Sequence, residues 1–477
     1  MNPDRRSLLG LGAGALGATV LPFAACSRAA KAAPIRVALG TQDTTINCAT
    51  GGLLIRELKL LEKHLPRDGA YKGADYDIQW RNFTSGAPLT NEMVAGKLDF
   101  GAMADFPGVF NGAAFEKARR HSLFLNVLCG SLRGSGNGVI VPAGSKVQSL
   151  AELKGKTISV PFASTAHGML LRAVRDLGWT PGRDVTISTQ APEVAGTALR
   201  AGTIDAHADF VPFADLYPYR GFARKIFDGS QAATPTFHGS LVDADYAAKH
   251  PEIVVAYQKA ALEADRLFQQ EPEKHSELVA KLTGIEAEVV YLFHGPLGLQ
   301  TRDLTWKPEY RQALKTAAQT LTLVKGEAVT VDADRFIADS YIRRAFQETG
   351  LDYDKALANR ERSPLVAKDA LTGAPIVLME RVAQVWLKGE PTVRAYASPE
   401  NALRDLAALE KGGKPARIVY AQDRDTGIKL LASSAAFTLG PDQRVDAFLL
   451  PSQAKAFAKV HGGRVTDFAG VRAAIGT

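Results

Sequence analysis

Two short hydroxyl-bearing phrases carry the chemistry most readily read from this chain: Thr84-Ser85-Gly86 and Ser164-Thr165. Each follows a strand-like run and opens a helix-like one. A helix start presents backbone N–H groups without partners and the positive end of the helix dipole, and together these hold an anion. The hydroxyls of Ser85, Ser164 and Thr165 add donors, and Gly86 lets a ligand approach the backbone. For one loop alone, ordinary helix capping by Ser or Thr is a sufficient explanation. Two such loops at equivalent places argue for an anion gripped from both sides.

Further polar residues gather at or just beyond predicted strand ends: Gln42, Asp43, Asn47, Asp105, Asp209 and His238. His167 follows the Ser-Thr pair and either donates to an anion or tops the helix. Phe106, Phe210 and Phe213 suit the apolar walls of a cleft, and equally suit a core. Asp105 and Asp209 suit an amino group on the ligand, or simple capping and turning. Catalytic patterns are missing. Ser164 and His167 are three residues apart, a spacing that does not establish a nucleophile and its base. Neither a G-x-S-x-G elbow nor a P-loop occurs. Without CxxC or His-rich spacing, no metal site is expected. The chain is expected to bind a ligand without a cofactor and without turning it over.

The elements that must position these residues are announced by a repeated phrase. Ala95-Gly96-Lys97-Leu98-Asp99 returns as Ala201-Gly202-Thr203-Ile204-Asp205, and each copy runs into a strand ending in Asp-Phe. Helix, glycine stop, strand and polar strand end make one α/β unit, and ligands of open α/β sheets bind beyond the strands' carboxyl ends. Two units about a hundred residues apart predict two similar lobes facing each other as a clamp. In the first lobe, strands are expected at 35–40, 76–80 and 98–103, with helices at 53–64 (Leu54, Leu58 and Leu61 inward) and from 84 to 95. The second lobe, about 142–240, has strands at 157–160, 185–187 and 204–208. Its helices follow Ser164, with Leu170, Val174 and Leu177 inward, and span 193–201. Long amphipathic helices at 251–281 and 332–348 are expected to form the outer layer of the first lobe. A break in apolar periodicity at 358–368 precedes a small α+β domain, with strands at 381–386, 393–396 and 417–420 and helices at 401–409 and 452–460.

Asp4-Arg5-Arg6-Ser7-Leu8-Leu9-Gly10 and the apolar run behind it form a twin-arginine export pattern, so residues 1–33 are expected to be removed. Two processing readings stay open: lipidation of Cys26, which would anchor the protein to a membrane, or ordinary cleavage near Ala30–Ala33. The net charge of +7 is scattered rather than gathered into a stripe with interleaved aromatics, which argues against nucleic acid. Cys48 and Cys129 are either an oxidised pair or two buried thiols.

Strand 35–40, the Thr84-Ser85-Gly86 helix start, Ala95–Gly101 and Asp105-Phe106-Pro107 resemble the periplasmic solute-binding proteins of nitrate, sulfonate and taurine ABC importers. Gly155–Val160 with Ser164-Thr165, and Ala201–Ala206, extend the resemblance over about 35–350. It implies a two-lobed periplasmic-binding-protein fold (type II) with a hinge over 34–356. A small anionic ligand would lie in the cleft for delivery to an ABC permease and its ATPase. Thiamine-pyrimidine binding proteins share the fold and remain an alternative. The segment 365–477 resembles nitrous-oxide-reductase accessory lipoproteins that carry copper, through Leu431–Phe437, Phe448–Pro451 and Ala456–Val465. That resemblance implies a metal-handling or cofactor-maturation alternative, yet the tail has no cysteine and only Met379 to offer a soft metal.

Overall fold

The computed structural model describes residues 33–47, 49–325, 329, 332–359 and 364–476. The expected leader, with Arg5, Arg6 and Cys26, lies outside the described residues, as does Cys48. Among the described residues no helix is long and apolar enough to cross a membrane.

The chain opens with β1 (Ile35–Thr41), β2 (Tyr76–Asn82), β3 (Phe100–Ala104) and β4 (Ser122–Ser131), with helices α1 (Gly86–Val94) and α2 (Asp105–Lys117) before and after β3. It then crosses to a second sheet built from β5 (Gly138–Pro142), β6 (Thr157–Val160), β7 (Thr186–Thr189), β8 (Ala206–Asp209) and β9 (Ala223–Asp228). Helices α3 (Thr165–Asp176), α4 (Pro192–Ala201) and α5 (Phe213–Tyr219) connect and cover these strands. The chain returns through β10 (Thr236–Asp243), which enters the first sheet antiparallel between β3 and β4. The second lobe therefore spans 138–228 rather than 142–240, because β10 completes the first sheet.

Strand orders are β2-β1-β3-β10-β4 and β7-β6-β8-β5-β9. Both sheets have a parallel trio and an antiparallel strand next to the edge, so the two lobes repeat one topology. The repeated sequence phrase occupies equivalent places before β3 and β8. Its glycines, Gly96 (φ 71°) and Gly202 (φ 66°), stand in the left-handed region. Its aspartates reach back to the neighbouring parallel strand: Asp99 accepts from the Ala38 N–H of β1 at 2.8 Å, and Asp205 from the Thr157 N–H of β6 at 3.1 Å. The two crossovers between lobes touch at Gly134 and Gly229. A Cβ on Gly229 would lie 2.2 Å from the Gly134 carbonyl oxygen, so the hinge needs glycine there.

Helices α6 (Pro251–Gln270) and α7 (Pro272–Thr283) cover the first lobe, divided where Pro272 starts a new helix. Tyr257 of α6 packs on Phe100 of β3 and donates its hydroxyl to the Gly51 carbonyl at 2.7 Å. Then come α8 (Ala287–His294), α9 (Pro308–Lys325) and α10 (Ser340–Glu348). Two expected helices are broken. Residues 53–64 form Leu54–Glu57 and Leu60–His64, with Lys59 left-handed between them. The break turns Leu58 outward, 38% exposed, and buries Leu60 instead. Residues 332–348 open at Ile337, which forms a parallel bridge to Phe124 on edge strand β4. An unpaired strand edge recruits the backbone that a continuous helix would have used.

The tail holds two antiparallel sheets. The first combines β11 (Ala383–Leu387), β12 (Val393–Tyr396), β13 (Ala416–Gln422) and β14 (Lys429–Leu431). The second combines β15 (Ala436–Leu439), β16 (Val445–Phe448) and β17 (Arg464–Thr466). Helices α11 (Pro399–Lys411), α12 (Pro451–His461) and α13 (Phe468–Ile475) complete it. The small α+β domain anticipated after 365 is present: its three expected strands and two expected helices lie close to their places, whereas β14 to β17 and α13 were not anticipated.

Candidate functional site

Between the lobes lies a small cavity that opens to solvent at its mouth. One wall is a single face of α3 from the second lobe: Thr165, Gly168, Met169 and Arg172. This i, i+3, i+4, i+7 spacing is one helical stripe. The facing wall is the stripe Ala313, Thr316, Ala317 and Thr320 of α9. The crossovers supply Asn137 and the 229–236 segment, and the first lobe supplies Asp105 and Phe106. Small residues on both helices leave the space that larger ones would fill.

Arg172 brings the cavity its positive charge. Its Nε and Nη1 atoms are buried and have no hydrogen-bond partner in the protein. Burial weakens its hold on the proton, opposed by attraction to Asp176 and Asp105. A half-buried guanidinium with two shielded and unused donors is better satisfied when an acceptor meets it. Its planar fork matches oxyanions bidentately. The residue escaped sequence analysis because it reads as one more solvated charge on an amphipathic helix, beside Arg175 and Asp176.

Asp105 opens α2 at the end of β3. Its carboxyl accepts from the Phe106 N–H at 2.7 Å, and the nearby polar groups of Thr236 and Phe237 also favour its charged form. Burial nevertheless pushes its pKa up to about 7, the hydrogen bonds recovering only part of the cost. Near neutral pH it is therefore available both as an acid and as a carboxylate. The Thr165 hydroxyl donates to Asn137 Oδ1 at 3.2 Å, which links α3 to a crossover. Phe106 stands edge-on to His167, centroids 6.4 Å apart, so first-lobe and second-lobe side chains meet across the cleft.

The other anticipated residues are placed differently. Ser85 and Gly86 do not line the cavity, and Gly86 is packed against Pro107, where a Cβ would come within 2.5 Å. The Ser164 hydroxyl caps α3 by accepting from the His167 N–H at 3.1 Å and donates to the Pro161 carbonyl at 2.7 Å. The capping reading thus prevails for Ser164, and the expected grip by two facing helix starts gives way to one helix face. His167 Nδ1 accepts from the Ala163 N–H, and burial keeps its pKa below the usual histidine value. Asp209 is sealed. Its carboxylate accepts from the Phe210 N–H and pairs with His207, so it has no room for a ligand's amino group. Phe210 packs on Phe213 as core. Gln42 donates to the Ala102 carbonyl, and Asp43 pairs with Arg56. His238 pairs in register with Ala104 and Cys129, and burial lowers its pKa to about 3. Asn47 accepts at its carbonyl from the buried Cys129 thiol, while its own Oδ1 is buried without a partner.

One arrangement has the connectivity of a hydrolytic triad: Ser159 Oγ to His207 Nδ1 at 2.8 Å, and His207 Nε2 to Asp209 at 3.0 Å. All three residues are 0% exposed on adjacent strands β6 and β8. A nucleophile sealed in a sheet meets no substrate, so this chain of hydrogen bonds serves the second lobe's core. Among the described residues, no group of three or more His, Cys, Asp or Glu is placed to hold a metal ion.

A family model described as NMT1/THI5 like matches residues 77–275. The taurine-binding periplasmic protein of Escherichia coli (strain K12) is 27% identical over 281 residues, 56% of this chain and 84% of that protein. The alkanesulfonate-binding protein SsuA of Xanthomonas axonopodis pv. citri, solved bound to MOPS, aligns with a TM-score of 0.52 at 24% identity. It covers 65% of this chain and 100% of that one. The periplasmic aliphatic sulphonate binding protein SsuA of Escherichia coli gives 0.50 at 25% identity, covering 66% and 100%. The chain thus has the two-lobed periplasmic-binding-protein fold, followed by an additional C-terminal domain.

Proposed function

We propose that this protein is an extracytoplasmic receptor that captures a small organosulfonate between its lobes and hands it to an ABC permease. The observation that carries this reading is Arg172, whose buried Nε and Nη1 have no protein acceptor at the wall of the interlobe cavity. A sulfonate offers three oxygens at fixed geometry and stays ionised at any physiological pH, so a guanidinium fork suits it. In this reading Arg172 takes two oxygens, and Thr165 and Asn137 assist. Met169, Ala313 and Ala317 receive the carbon chain. Asp105 either shares its proton with the third oxygen or holds a ligand's ammonium group. The similarity to proteins named for taurine and alkanesulfonate binding supports the same ligand class. Export through the twin-arginine pattern fits the place of work.

Thermal unfolding of the mature protein against taurine, short alkanesulfonates, sulfate, nitrate and a pyrimidine tests the assignment. A ligand present at about a thousand times its dissociation constant adds roughly 4 kcal/mol to the folded state. The reading expects a clear upward shift with sulfonates. A shift with nitrate or the pyrimidine alone would reassign the ligand.

A further inference from the structure

The tail is built into the binding domain rather than hung from it. Its first sheet has α11 on one face, and the other face meets α8 of the first lobe's helical layer. Gln384 donates to the Tyr291 hydroxyl at 3.3 Å, and Trp386 and Tyr420 pack their rings on Tyr291, each with centroids 5.6 Å away. The Lys429 ammonium sits over the rings of Tyr291 and Tyr420, at 4.1 and 4.5 Å, and donates to the Pro296 carbonyl.

The start of the same helix is also held by the second lobe. At the end of α5, Arg220 pairs bidentately with Glu286 at 2.8 and 3.0 Å and donates to the Gly284 carbonyl. Its neighbour Tyr219 lies beside the Glu288 carboxylate, and burial together with that negative charge raises the pKa of its hydroxyl. Glu288 is also where the tail takes hold. Arg417 grips its carboxylate at 2.6 and 3.2 Å and pairs with Glu277, and the Tyr420 hydroxyl donates to the Glu288 carbonyl at 2.8 Å. Glu288 is only 6% exposed. Beyond α8 the chain runs directly to the crossovers: the Ser135 hydroxyl donates to the Leu299 carbonyl, and Gly130 and Thr301 exchange backbone hydrogen bonds. A groove between tail residues Leu430–Ala435 and second-lobe residues Asp215, Pro218 and Ala223–Lys225 completes the embrace.

From this geometry we propose that the C-terminal domain is a brace that sets the angle between the lobes, with Glu288 as the joint through which lobe closure and the tail communicate. A rotation that opens the cleft must pull Tyr219 and Arg220 away from α8 while Arg417 and Tyr420 keep α8 in place. The brace therefore favours the closed arrangement and slows ligand escape. A rigid element biased by two partners at one buried carboxylate has the form a coupling free energy requires. The effect on ligand escape rests on the sulfonate reading above, whereas the effect on lobe angle does not.

The test uses the full chain with spin labels at exposed Lys72→Cys on the first lobe and Lys146→Cys on the second. Interlobe distances are compared between the parent and the Tyr219→Phe, Arg417→Lys and doubly substituted proteins, with unchanged circular dichroism as the check on folding. The brace predicts one narrow distance in the parent and a longer, broader distribution in the double variant. It also predicts taurine release faster by about tenfold, with the two single effects non-additive. Identical distances in parent and double variant, or strictly additive effects on them, would overturn it. If the parent binds no sulfonate yet the distances still respond, the brace stands and the ligand assignment falls.

Discussion

Arg172 is the residue on which ligand binding turns. Replacing it with methionine keeps the apolar stem and removes the donors. Charged hydrogen bonds contribute about 1.5–3 kcal/mol each, so Arg172→Met is expected to weaken sulfonate binding by roughly a hundredfold or more. Titration calorimetry measures this directly, and the melting temperature without ligand should hold or rise, since a buried donor pair without acceptors is lost. Asp105 adds a pH dependence. Its folded pKa is raised to about 7 by burial, so it is neutral below that pH and charged above it. A simple alkanesulfonate is repelled by the charged form and its binding takes up a proton. Affinity should fall as pH rises through 7, approaching about tenfold per unit, and Asp105→Asn should flatten the profile. The sign for folding is the same. Between the unfolded value near 4 and the folded value near 7, this group's contribution to stability declines as pH rises. Asp105, Phe106 and Thr165 were legible at strand and helix ends, where chemistry is usually sought. Arg172 was not, because no local pattern separates a solvated helix charge from one turned into a cleft by a partner helix 140 residues further on.

At the scale of elements, the repeated phrase was legible as two lobes, and its aspartates turn out to tie strands rather than ligands. Asp99 is buried and also pairs with Arg36, whereas Asp205 is a half-exposed tie. Asp99→Ala should cost about 2–3 kcal/mol and Asp205→Ala about 1 kcal/mol, read from denaturant midpoints. Equal losses would contradict the difference in burial. Three strands and two helices of the tail were read nearly in place because their alternation and caps are local, whereas β14 to β17 are too short to show a period. The failures were at positions where distant structure decides. Helix 53–64 breaks so that Leu60 can replace Leu58 in the core, and 332–348 opens to reach the β4 edge. Helix α9 gave no clear signal, although its stripe of alanines and threonines forms one wall of the cavity. Small residues at helical spacing give a weak apolar signal, and here their smallness is what makes room.

For the whole molecule, the hinge and the tail set what the lobes can do. The crossovers meet where only hydrogen fits, so Gly229→Ala must push the Gly134 carbonyl aside. A loss of roughly 2–4 kcal/mol is expected, seen as a lowered first unfolding transition, with sulfonate affinity reduced in step. The tail was legible as a separate domain in composition and element order. Its seat on α8 was not, since Glu288 and Arg417 stand 129 residues apart and each reads alone as an ordinary surface charge. Detaching the tail would bare Tyr291, Trp386 and Tyr420 together, an aromatic surface that a freely hinged module would not carry.

The most direct test of the account is a calorimetric titration of the mature protein with taurine and with a short alkanesulfonate, run beside Arg172→Met. Saturable one-to-one binding that the substitution abolishes, while the protein stays folded, is the predicted result. Sulfonate binding of equal strength in the Arg172→Met protein would contradict the account and place the ligand outside this cavity.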